Sequence, residues 1–391
     1  MFAITIYVNA SYFVLVDFSY LTRFLKSKQR SRKGICEERI IEIIMDKDIY
    51  WKLPKVNLHH HLEGAVRPET FFEVASRHQL GLPIANVSDS KRFLQVSADD
   101  SSLADFLVKV DRSLAVSQYP GVLTRMAFEA VEDGYYQNVK YLELRFGPWL
   151  HIEQGRTIEE TIEEVLMGIE QAMNKYPITA KLIVCALRHH DERKNMMLAT
   201  AAGKYLNHGL VGFDIAGDEA AYPAKVFHKT FAQAKADGLG ITVHAGEVGS
   251  GNRVIEAITH LNADRIGHGI QIVSQPDLVD QVKQHGVTLE ICPTSNVDTR
   301  AVKSPESHPI RKLYQQGVLL SLGDDDPTTS GITITSEYRL LSEKFNFTNS
   351  ELADIVMTGA KAAFLPQDQK SVLIEQLTAS LAEWEKQTND A

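Results

Sequence analysis

The sequence predicts an α/β fold, a TIM-type (β/α)8 barrel with extra helices inserted after the first strand and at the C-terminus. Eight short apolar runs end in polar or glycine residues, as parallel strands buried on both faces do. Amphipathic stretches of helical length separate these runs, and that alternation is typical of parallel α/β architecture. The 391 residues, 44% hydrophobic and 23% charged, can bury the core of such a barrel.

The predicted strands follow one another along the chain. They cover residues 56–62, 140–146, 181–187, 210–216, 240–245, 265–269, 287–292 and 318–323. Each is short and largely apolar, which is the composition of a strand covered by helices on one face and by the barrel interior on the other. Eight strands are the number that a closed barrel of this type needs.

The intervals between the later strands predict helices at residues 158–174, 226–236 and 277–285. In the first of these, Ile162, Val165 and Ile169 fall on one stripe with helical period, so that face is expected to pack on the barrel. The long interval after the first strand predicts an inserted helical layer over the barrel mouth, at residues 67–78, 102–116 and 121–134. Helices at residues 336–345, 350–361 and 367–387 are expected to close the barrel, and no second domain is needed.

The N-terminus differs from the rest of the chain. Residues 1–44 are predicted to be an extension outside the barrel, and residues 45–391 to be the barrel domain. Residues 2–21 are mostly apolar, but Asn9 and Asp17 interrupt them, and a charge at the centre of a membrane helix costs about 3 kcal/mol. A secretory signal is not expected, because the basic residues follow the apolar run. Two interpretations stay open: translation starts at Met45, or the extension is a weak membrane anchor.

Charge and cysteine content exclude several classes of protein. The 41 Lys and Arg residues against 50 Asp and Glu give a net charge of −9, which argues against nucleic acid because phosphate binding needs a basic face. Cys36, Cys185 and Cys292 are odd in number and far apart, so neither a disulfide framework nor a cysteine zinc site is expected. We therefore expect a cytoplasmic protein that binds a small molecule and no membrane. Its oligomeric state stays open.

Histidines and carboxylates stand where four of the predicted strands end. His59 and His61 share one face of the first strand, because side chains alternate with a period of two. His244 and Glu247 end the fifth strand, His268 ends the sixth, and three consecutive aspartates end the eighth. The carboxyl ends of barrel strands converge on one site. Three imidazoles and one carboxylate suit a single divalent metal, with zinc favoured, and a zinc-activated water implies a hydrolase.

Six segments together resemble the adenosine deaminase family, from about Leu53 to the end of the chain. They are Pro54-Lys55-Val56-Asn57-Leu58-His59-His60-His61-Leu62-Glu63-Gly64, Phe213-Asp214-Ile215-Ala216-Gly217-Asp218-Glu219, His244-Ala245-Gly246-Glu247, Arg265-Ile266-Gly267-His268-Gly269, Cys292-Pro293-Thr294-Ser295-Asn296 and Asp325-Asp326-Pro327. Their order and spacing match the family throughout. The resemblance implies hydrolytic deamination of adenosine and 2′-deoxyadenosine to inosine and deoxyinosine, with one Zn²⁺ per subunit and no organic cofactor.

The resemblance also assigns roles to nine residues. By resemblance, the zinc ligands are His59, His61, His244 and Asp325, the catalytic residues are Glu247 and His268, and the substrate-binding residues are Glu63, Gly217 and Asp326. Glu247 would protonate purine N1, and His268 would assist deprotonation of the attacking water and its alignment. Asp326 would address N7, the Gly217 N–H would address N3, and Glu63 would contact the ribose.

The chain departs from the family pattern at two points. Glu63 stands where the family often has aspartate, and Gly323-Asp324 stands where asparagine and threonine are common. The difference at Glu63 leaves adenine or aminodeoxyfutalosine open as the substrate. The additional carboxylate of Asp324 is predicted to perturb the pair Asp325 and Asp326 that follows it. A nucleotide is least favoured, because no basic cluster is predicted at the mouth. A non-catalytic binding protein, or a different amidohydrolase reaction, are the remaining alternatives.

Two further residues and one pair are expected to lie near the predicted site without belonging to it. His60 is expected to pack outside the barrel, and Asp214 is expected to accept a hydrogen bond from a metal ligand, since a buried carboxylate needs partners. The pair Arg188-His189 ends the third strand near the predicted rim and is left outside the predicted site.

Overall fold

The computed structural model describes residues 48–97, 99–100 and 102–389. The predicted extension, residues 1–44, lies outside these residues, so both interpretations of it stay predictions. The barrel forms a compact unit that begins at Leu53. The short helix α1 (Ile49–Lys52) belongs to the preceding unit.

The described part of the barrel unit contains an eight-stranded parallel sheet in which the strands pair in sequence order. The strands are β1 (Lys55–His61), β2 (Val139–Phe146), β3 (Thr179–Leu187), β4 (Leu210–Ala216), β5 (Gly240–Ala245), β6 (Arg265–His268), β7 (Thr288–Ile291) and β8 (Leu319–Leu322). The predicted fold class is therefore confirmed. The last three strands are one or two residues shorter than predicted; after β6, for example, Gly269 takes a left-handed φ of 67° that ends the extended backbone.

The barrel is closed between β8 and β1 by a narrow seam. The ladder is replaced there by one bridge, between His60 and Asp325. The Asp325 N–H donates to the His59 carbonyl at 3.0 Å, and the His61 N–H donates to the Asp325 carbonyl at 2.7 Å. The seam therefore joins the three residues of β1 that precede the first loop to the loop that follows β8.

Helices surround the sheet and cover its carboxyl end. Between β1 and β2 lie α2 (Pro68–Arg77), α3 (Val87–Leu94), α4 (Leu103–Asp111), α5 (Leu114–Ser117) and α6 (Val122–Tyr136). Between β2 and β7 lie α7 (Ile158–Lys175), α8 (Glu192–Gly203), α9 (His228–Ala236), α10 (Asn252–Leu261) and α11 (Pro276–His285). After β7 come α12 (Pro293–Asp298), α13 (Ile310–Gln315), α14 (Pro327–Ser330), α15 (Ile334–Phe345), α16 (Asn349–Ala362) and α17 (Gln367–Asn389).

The helical insertion after β1 is confirmed, with two differences. The helix predicted at residues 102–116 is divided into α4 and α5, and the Arg112 guanidinium between them lies over the Phe93 ring at 4.4 Å. Helix α3 was not predicted; its N-cap is Asn86, whose side chain accepts from the Asp89 N–H. The C-terminal helices are also confirmed, and α16 packs against β8 and β1 beside the seam.

Within residues 48–97, 99–100 and 102–389, no helix combines the length and the apolar character that a bilayer span requires.

Candidate active site

Four predicted metal ligands meet at the carboxyl end of the barrel. His59 and His61 come from β1, His244 from β5 and Asp325 from the loop after β8, and one ligand atom of each lies within 4.8 Å of the others. Nε2 of His61 lies 3.2 Å from Nε2 of His244, and Oδ1 of Asp325 lies 3.3 Å from Nε2 of His59. The strands thus bring residues more than 250 positions apart in the sequence into one cluster.

Buried carboxylates orient two of these imidazoles. Nδ1 of His59 donates to Glu290 at 2.9 Å, and Nδ1 of His244 donates to Asp214 at 2.9 Å. Because a carboxylate only accepts, each Nδ1 carries a proton, and in the neutral ring each Nε2 then keeps its lone pair for the cluster. The expected contact of Asp214 with a predicted metal ligand, His244, is present in the structure.

Arg145 on β2 holds both carboxylates in the charged state. Its guanidinium donates to Asp214 at 2.8 Å and to Glu290 at 2.7 Å, and all three side chains are fully buried. Burial alone would raise the pKa of both carboxyl groups, but His244 and Arg145 lower it at Asp214, and Arg145 and Arg265 lower it at Glu290. Arg145 therefore stabilises the two carboxylates that orient His59 and His244.

A divalent cation fits this donor set. Nε2 of His59 is buried and has no hydrogen-bond partner among the described residues, and the facing Nε2 atoms of His61 and His244 cannot satisfy each other if both lack a proton. Burial lowers the pKa of His61 well below its ordinary value, so its imidazole is neutral. Unprotonated nitrogens that converge beside a carboxylate are what a bound metal requires.

Two residues of the site have a left-handed backbone that only glycine adopts without strain. The φ angle is 56° at Asp325 and 66° at His268. At Asp325 the two backbone hydrogen bonds of the seam fix the conformation, and the Ser295 hydroxyl donates to Oδ2 at 2.7 Å. The strained backbone directs both side chains toward the centre of the barrel mouth.

Glu247 is an acid suited to neutral pH. Burial, together with the Asp325 carboxylate, raises the pKa of Glu247 to about 7. The Thr299 hydroxyl donates to Oε1 at 2.9 Å, and Oε2 lies 3.8 Å from Nε2 of His268. Glu247 can therefore hold a proton where the cavity meets the cluster.

The cluster opens into a cavity of about 360 Å³. Eight of the nine predicted site residues line it: His61, Glu63, Gly217, His244, Glu247, His268, Asp325 and Asp326. The ninth, His59, lies in the cluster behind them and is fully buried. The structure therefore brings the predicted set together in one place.

One helix of the insertion forms an apolar wall of the cavity. Leu103, Phe106, Leu107 and Val110 of α4 line it at helical spacing, and Asp111 is the polar residue of the helix that faces it with them. The lining contains no Lys or Arg side chain within the described part of the chain. The wall formed by α4 is therefore largely apolar. The acidic residues of the described lining, such as Glu63 and Asp111, are not accompanied by a Lys or Arg side chain.

Asp326 and Glu63 lie in the cavity in different environments. Burial and the neighbouring Asp325 carboxylate raise the pKa of Asp326 well above its ordinary value, and its Oδ1 has no hydrogen-bond partner among the described residues. Oε1 of Glu63 accepts from the Gly147 N–H at 2.8 Å and lies 3.1 Å from Nε2 of His151. These surroundings favour the protonated form of Asp326, which can donate, and Glu63 is held in a fixed orientation.

The additional carboxylate in the loop after β8 has a partner outside the cluster. Oδ1 of Asp324 accepts from Asn57 Nδ2 at 2.6 Å and from His60 Nδ1 at 2.7 Å. Gly323 is required beside it, because a β-carbon there would lie 2.7 Å from the His59 β-carbon. His60 was expected only to pack outside the barrel, but it also forms a hydrogen bond to Asp324. Asp324 thereby links β1 to the loop after β8 and is not part of the cavity lining.

Several contacts of the site were not predicted from the sequence. Glu290 contacts His59 and Thr299 contacts Glu247, while Arg145 contacts Glu290 and Asp214 behind them. Arg188 donates to the His244 carbonyl at 2.8 Å, and His189 lines the cavity. One indication was available, because charged residues in a strand that is otherwise apolar need buried partners, as Arg145 in β2 does. The segment at residues 292–296 was quoted as a motif, and Ser295 and Asn296 now prove to contact Asp325 and His268.

Known proteins resemble the chain over most of its length. The family model described as adenosine deaminase matches residues 54–380. An adenosine deaminase of Clostridium perfringens is 37% identical over 321 residues, which cover 82% of this chain and 97% of the relative.

Two solved structures are similar in fold. An adenine deaminase from Arthrobacter aurescens has a TM-score of 0.78 at 25% identity, covering 85% of this chain and 99% of its own. A zinc-bound amidohydrolase from Burkholderia ambifaria has a TM-score of 0.81 at 26% identity, covering 88% of this chain and 94% of its own.

Proposed function

The chain belongs to the adenosine deaminase family, and from this premise we propose that it is a zinc-dependent enzyme that converts adenosine and 2′-deoxyadenosine to inosine and deoxyinosine with release of ammonia. The observation that carries the proposal is the position of Glu247. A carboxyl group with a pKa of about 7 faces the same cavity as the cluster of three histidines and Asp325. A proton donor beside a site for a metal-activated water is what hydrolysis of an amidine needs.

Zinc, held by His59, His61, His244 and Asp325, would supply a water whose pKa is low enough to give hydroxide at neutral pH. Zinc is favoured because three of the four ligands are imidazoles, and a similar amidohydrolase is described with bound zinc. The remaining chemistry belongs to the protein's own side chains. Glu247 donates its proton to purine N1, which makes C6 electrophilic, and the water oxygen adds at C6. One proton of the water leaves with the amino group as ammonia when the C6–N bond breaks, and the other returns to Glu247.

The base is held by groups on two sides of the cavity. Asp326, neutral because of its raised pKa, donates to N7, and the N–H of Gly217 donates to N3. Gly217 has a φ of 106°, a conformation in which glycine is the unstrained residue. These contacts orient the ring so that C6 faces the metal cluster.

The sugar then lies toward the mouth of the cavity. Glu63 and Asp111 line this region and offer carboxyl groups to hydroxyl groups. A 5′-phosphate would meet these carboxylates and, among the residues that the structure describes, no lining Lys or Arg, so the substrate class is the nucleoside rather than the nucleotide. We place the enzyme in the cytoplasm, because its free and buried Cys185 and Cys292 are typical of a reducing compartment.

Ultraviolet-monitored deamination by the zinc-loaded protein tests the proposal. Adenosine, 2′-deoxyadenosine, adenine, aminodeoxyfutalosine and AMP are compared, with metal content measured for each preparation. We expect turnover of the two nucleosides and none of AMP. Glu247→Gln is the matched control, because it keeps the shape and the metal ligands but has no proton to donate, and its kcat should fall by roughly 10²–10⁴-fold. Turnover of adenine or aminodeoxyfutalosine alone would overturn the nucleoside assignment.

A further inference from the structure

We propose that His308 and Asn296 are positioning residues that set the tautomer of His268, so that its Nε2 carries the proton and acts as a hydrogen-bond donor at the reaction centre. The inference rests on the proposed function only for the identity of the reacting groups. Its evidence is a chain of three hydrogen bonds that starts at a backbone amide and ends at the His268 ring.

The first hydrogen bond fixes the proton of His308. The backbone N–H of Ile310, at the start of α13, donates to Nδ1 of His308 at 3.2 Å. A backbone amide can only donate, so Nδ1 carries a lone pair and the proton of the neutral ring is on Nε2. His308 stays neutral, because burial lowers its pKa to about 3.

The second and third hydrogen bonds carry this polarity to His268. Nε2 of His308 lies 3.2 Å from Oδ1 of Asn296, so its N–H donates to the amide oxygen. The amide nitrogen of Asn296 then faces Nδ1 of His268 at 3.0 Å. An amide nitrogen only donates, so Nδ1 of His268 is the acceptor and the ring proton is on Nε2.

The relay is held rigidly by burial. Asn296 is fully buried within α12, and His308 is 5% exposed, with its ring 5.9 Å from that of Phe345. Turning the Asn296 amide over would place its nitrogen against the His308 N–H, whose position is fixed by Ile310. That hydrogen bond would be lost whichever tautomer His268 takes, at a cost of about 1–3 kcal/mol for each unsatisfied buried group.

The consequence concerns what His268 can do. Its Nε2 lies 3.7 Å from Oδ2 of Asp325 and 3.8 Å from Oε2 of Glu247, so it points between the two groups that border the reaction centre. A ring that already carries the Nε2 proton cannot accept a second proton there. His268 therefore aligns the reacting oxygen by donating to it, and does not serve as the base that the family resemblance implies.

Nitrogen NMR of the zinc-loaded, full-length protein labelled at histidine tests the tautomer directly. We expect the His268 signals to show a protonated Nε2 and an unprotonated Nδ1, assigned by their loss in His268→Gln. A protonated Nδ1 would overturn the proposal. This readout does not depend on which purine reacts, so it fails or succeeds separately from the activity assay.

Two variants perturb the relay in defined ways. Asn296→Asp replaces the donor by an acceptor, which should move the proton to Nδ1 and lower kcat by roughly 10²-fold, as when one donor to a reacting oxygen is lost, with metal content retained. His308→Phe removes the donor to the amide, so we expect a mixture of both tautomers. Asn252→Asp, exposed on α10, controls for the added charge and should leave the spectrum unchanged. An unchanged Nε2 proton in Asn296→Asp would contradict the relay.

Discussion

The carboxyl group of Asp326 lies directly against Gly64, so closely that a β-carbon at Gly64 would fall 1.9 Å from Oδ1 and 2.2 Å from the β-carbon of Asp326. Gly64 follows β1 and Asp326 follows β8, so the contact crosses the seam of the barrel. The glycine in the first motif is therefore required by packing against a proposed substrate-binding group.

Gly64→Ala should displace Asp326 and impair substrate binding. Because a shift of about 1 Å at a reacting group can cost 10²-fold, we expect kcat/KM for adenosine to fall by roughly 10–100-fold. Metal content should be unchanged, since the three atoms nearest to the added β-carbon all belong to Asp326, which is not a proposed ligand. Gly134→Ala on α6 is the matched control, because the nearest atom to its new β-carbon lies at 3.4 Å. Equal kinetics of Gly64→Ala and the parent would refute the packing argument.

The seam itself should depend on Asp324. Asp324→Ala leaves the buried donors of Asn57 and His60 without their acceptor, which costs about 1–3 kcal/mol for each. We expect a lower free energy of unfolding and a faster loss of zinc to a chelator, because the same seam holds His59, His61 and Asp325. Asp280→Ala, an exposed carboxylate 3.8 Å from Lys283, should change neither quantity. If zinc is lost at the rate of the parent, the seam does not support the cluster.

Arg145 should be among the residues whose loss is most destabilising. Arg145→Met leaves Asp214 buried without its guanidinium partner and leaves Glu290 with Arg265 alone, and breaking a buried pair in this way costs about 3–5 kcal/mol. Chemical denaturation measures the loss, and zinc affinity should fall with it because both carboxylates orient ligands. Arg77→Met, which breaks an exposed pair with Glu73, should cost no more than about 0.5 kcal/mol. Similar losses in the two variants would contradict the structural account.

The barrel and the main site residues could be predicted because both follow from local rules. Buried parallel strands give continuous apolar runs, and the carboxyl ends of such strands converge, so the histidines and aspartates that end later strands could be placed beside the histidines of β1 from their positions alone. The family resemblance then named His244 and Asp325 as the ligands among them. The role of Gly217 and Asp326 came from family resemblance, and the structure places both in the cavity lining.

The supporting contacts could not be predicted, because they depend on which side chains meet across the barrel interior. Arg145 and Glu290 are separated by 145 positions, and no periodicity in the sequence relates them. The relay from His308 to Asn296 depends on how the loop before α13 folds back onto α12. Such contacts require the register and the three-dimensional course of the loops.

The stability of the protein should depend on pH through Glu337, a buried carboxyl on α15. Burial raises its pKa from 4.5 to about 7, although the N–H and hydroxyl of Thr294 both donate to it. A raised pKa means that the fold favours the protonated form. The contribution of Glu337 is therefore fully present below pH 4.5 and is lost as pH rises through about 7, and a difference of this size corresponds to about 3 kcal/mol.

Glu337→Gln should remove this pH dependence, because a neutral amide keeps the shape of the protonated group and the Thr294 hydroxyl can turn to accept from it. We expect the free energy of unfolding of the parent to fall between pH 5 and pH 8 by up to about 3 kcal/mol more than that of the variant. Chemical denaturation across this range makes the comparison, with the exposed Glu375→Gln as the control that should follow the parent. Parallel curves for the parent and Glu337→Gln would show that Glu337 is ionised in the fold at all these pH values, since only a group that changes protonation on unfolding contributes a slope.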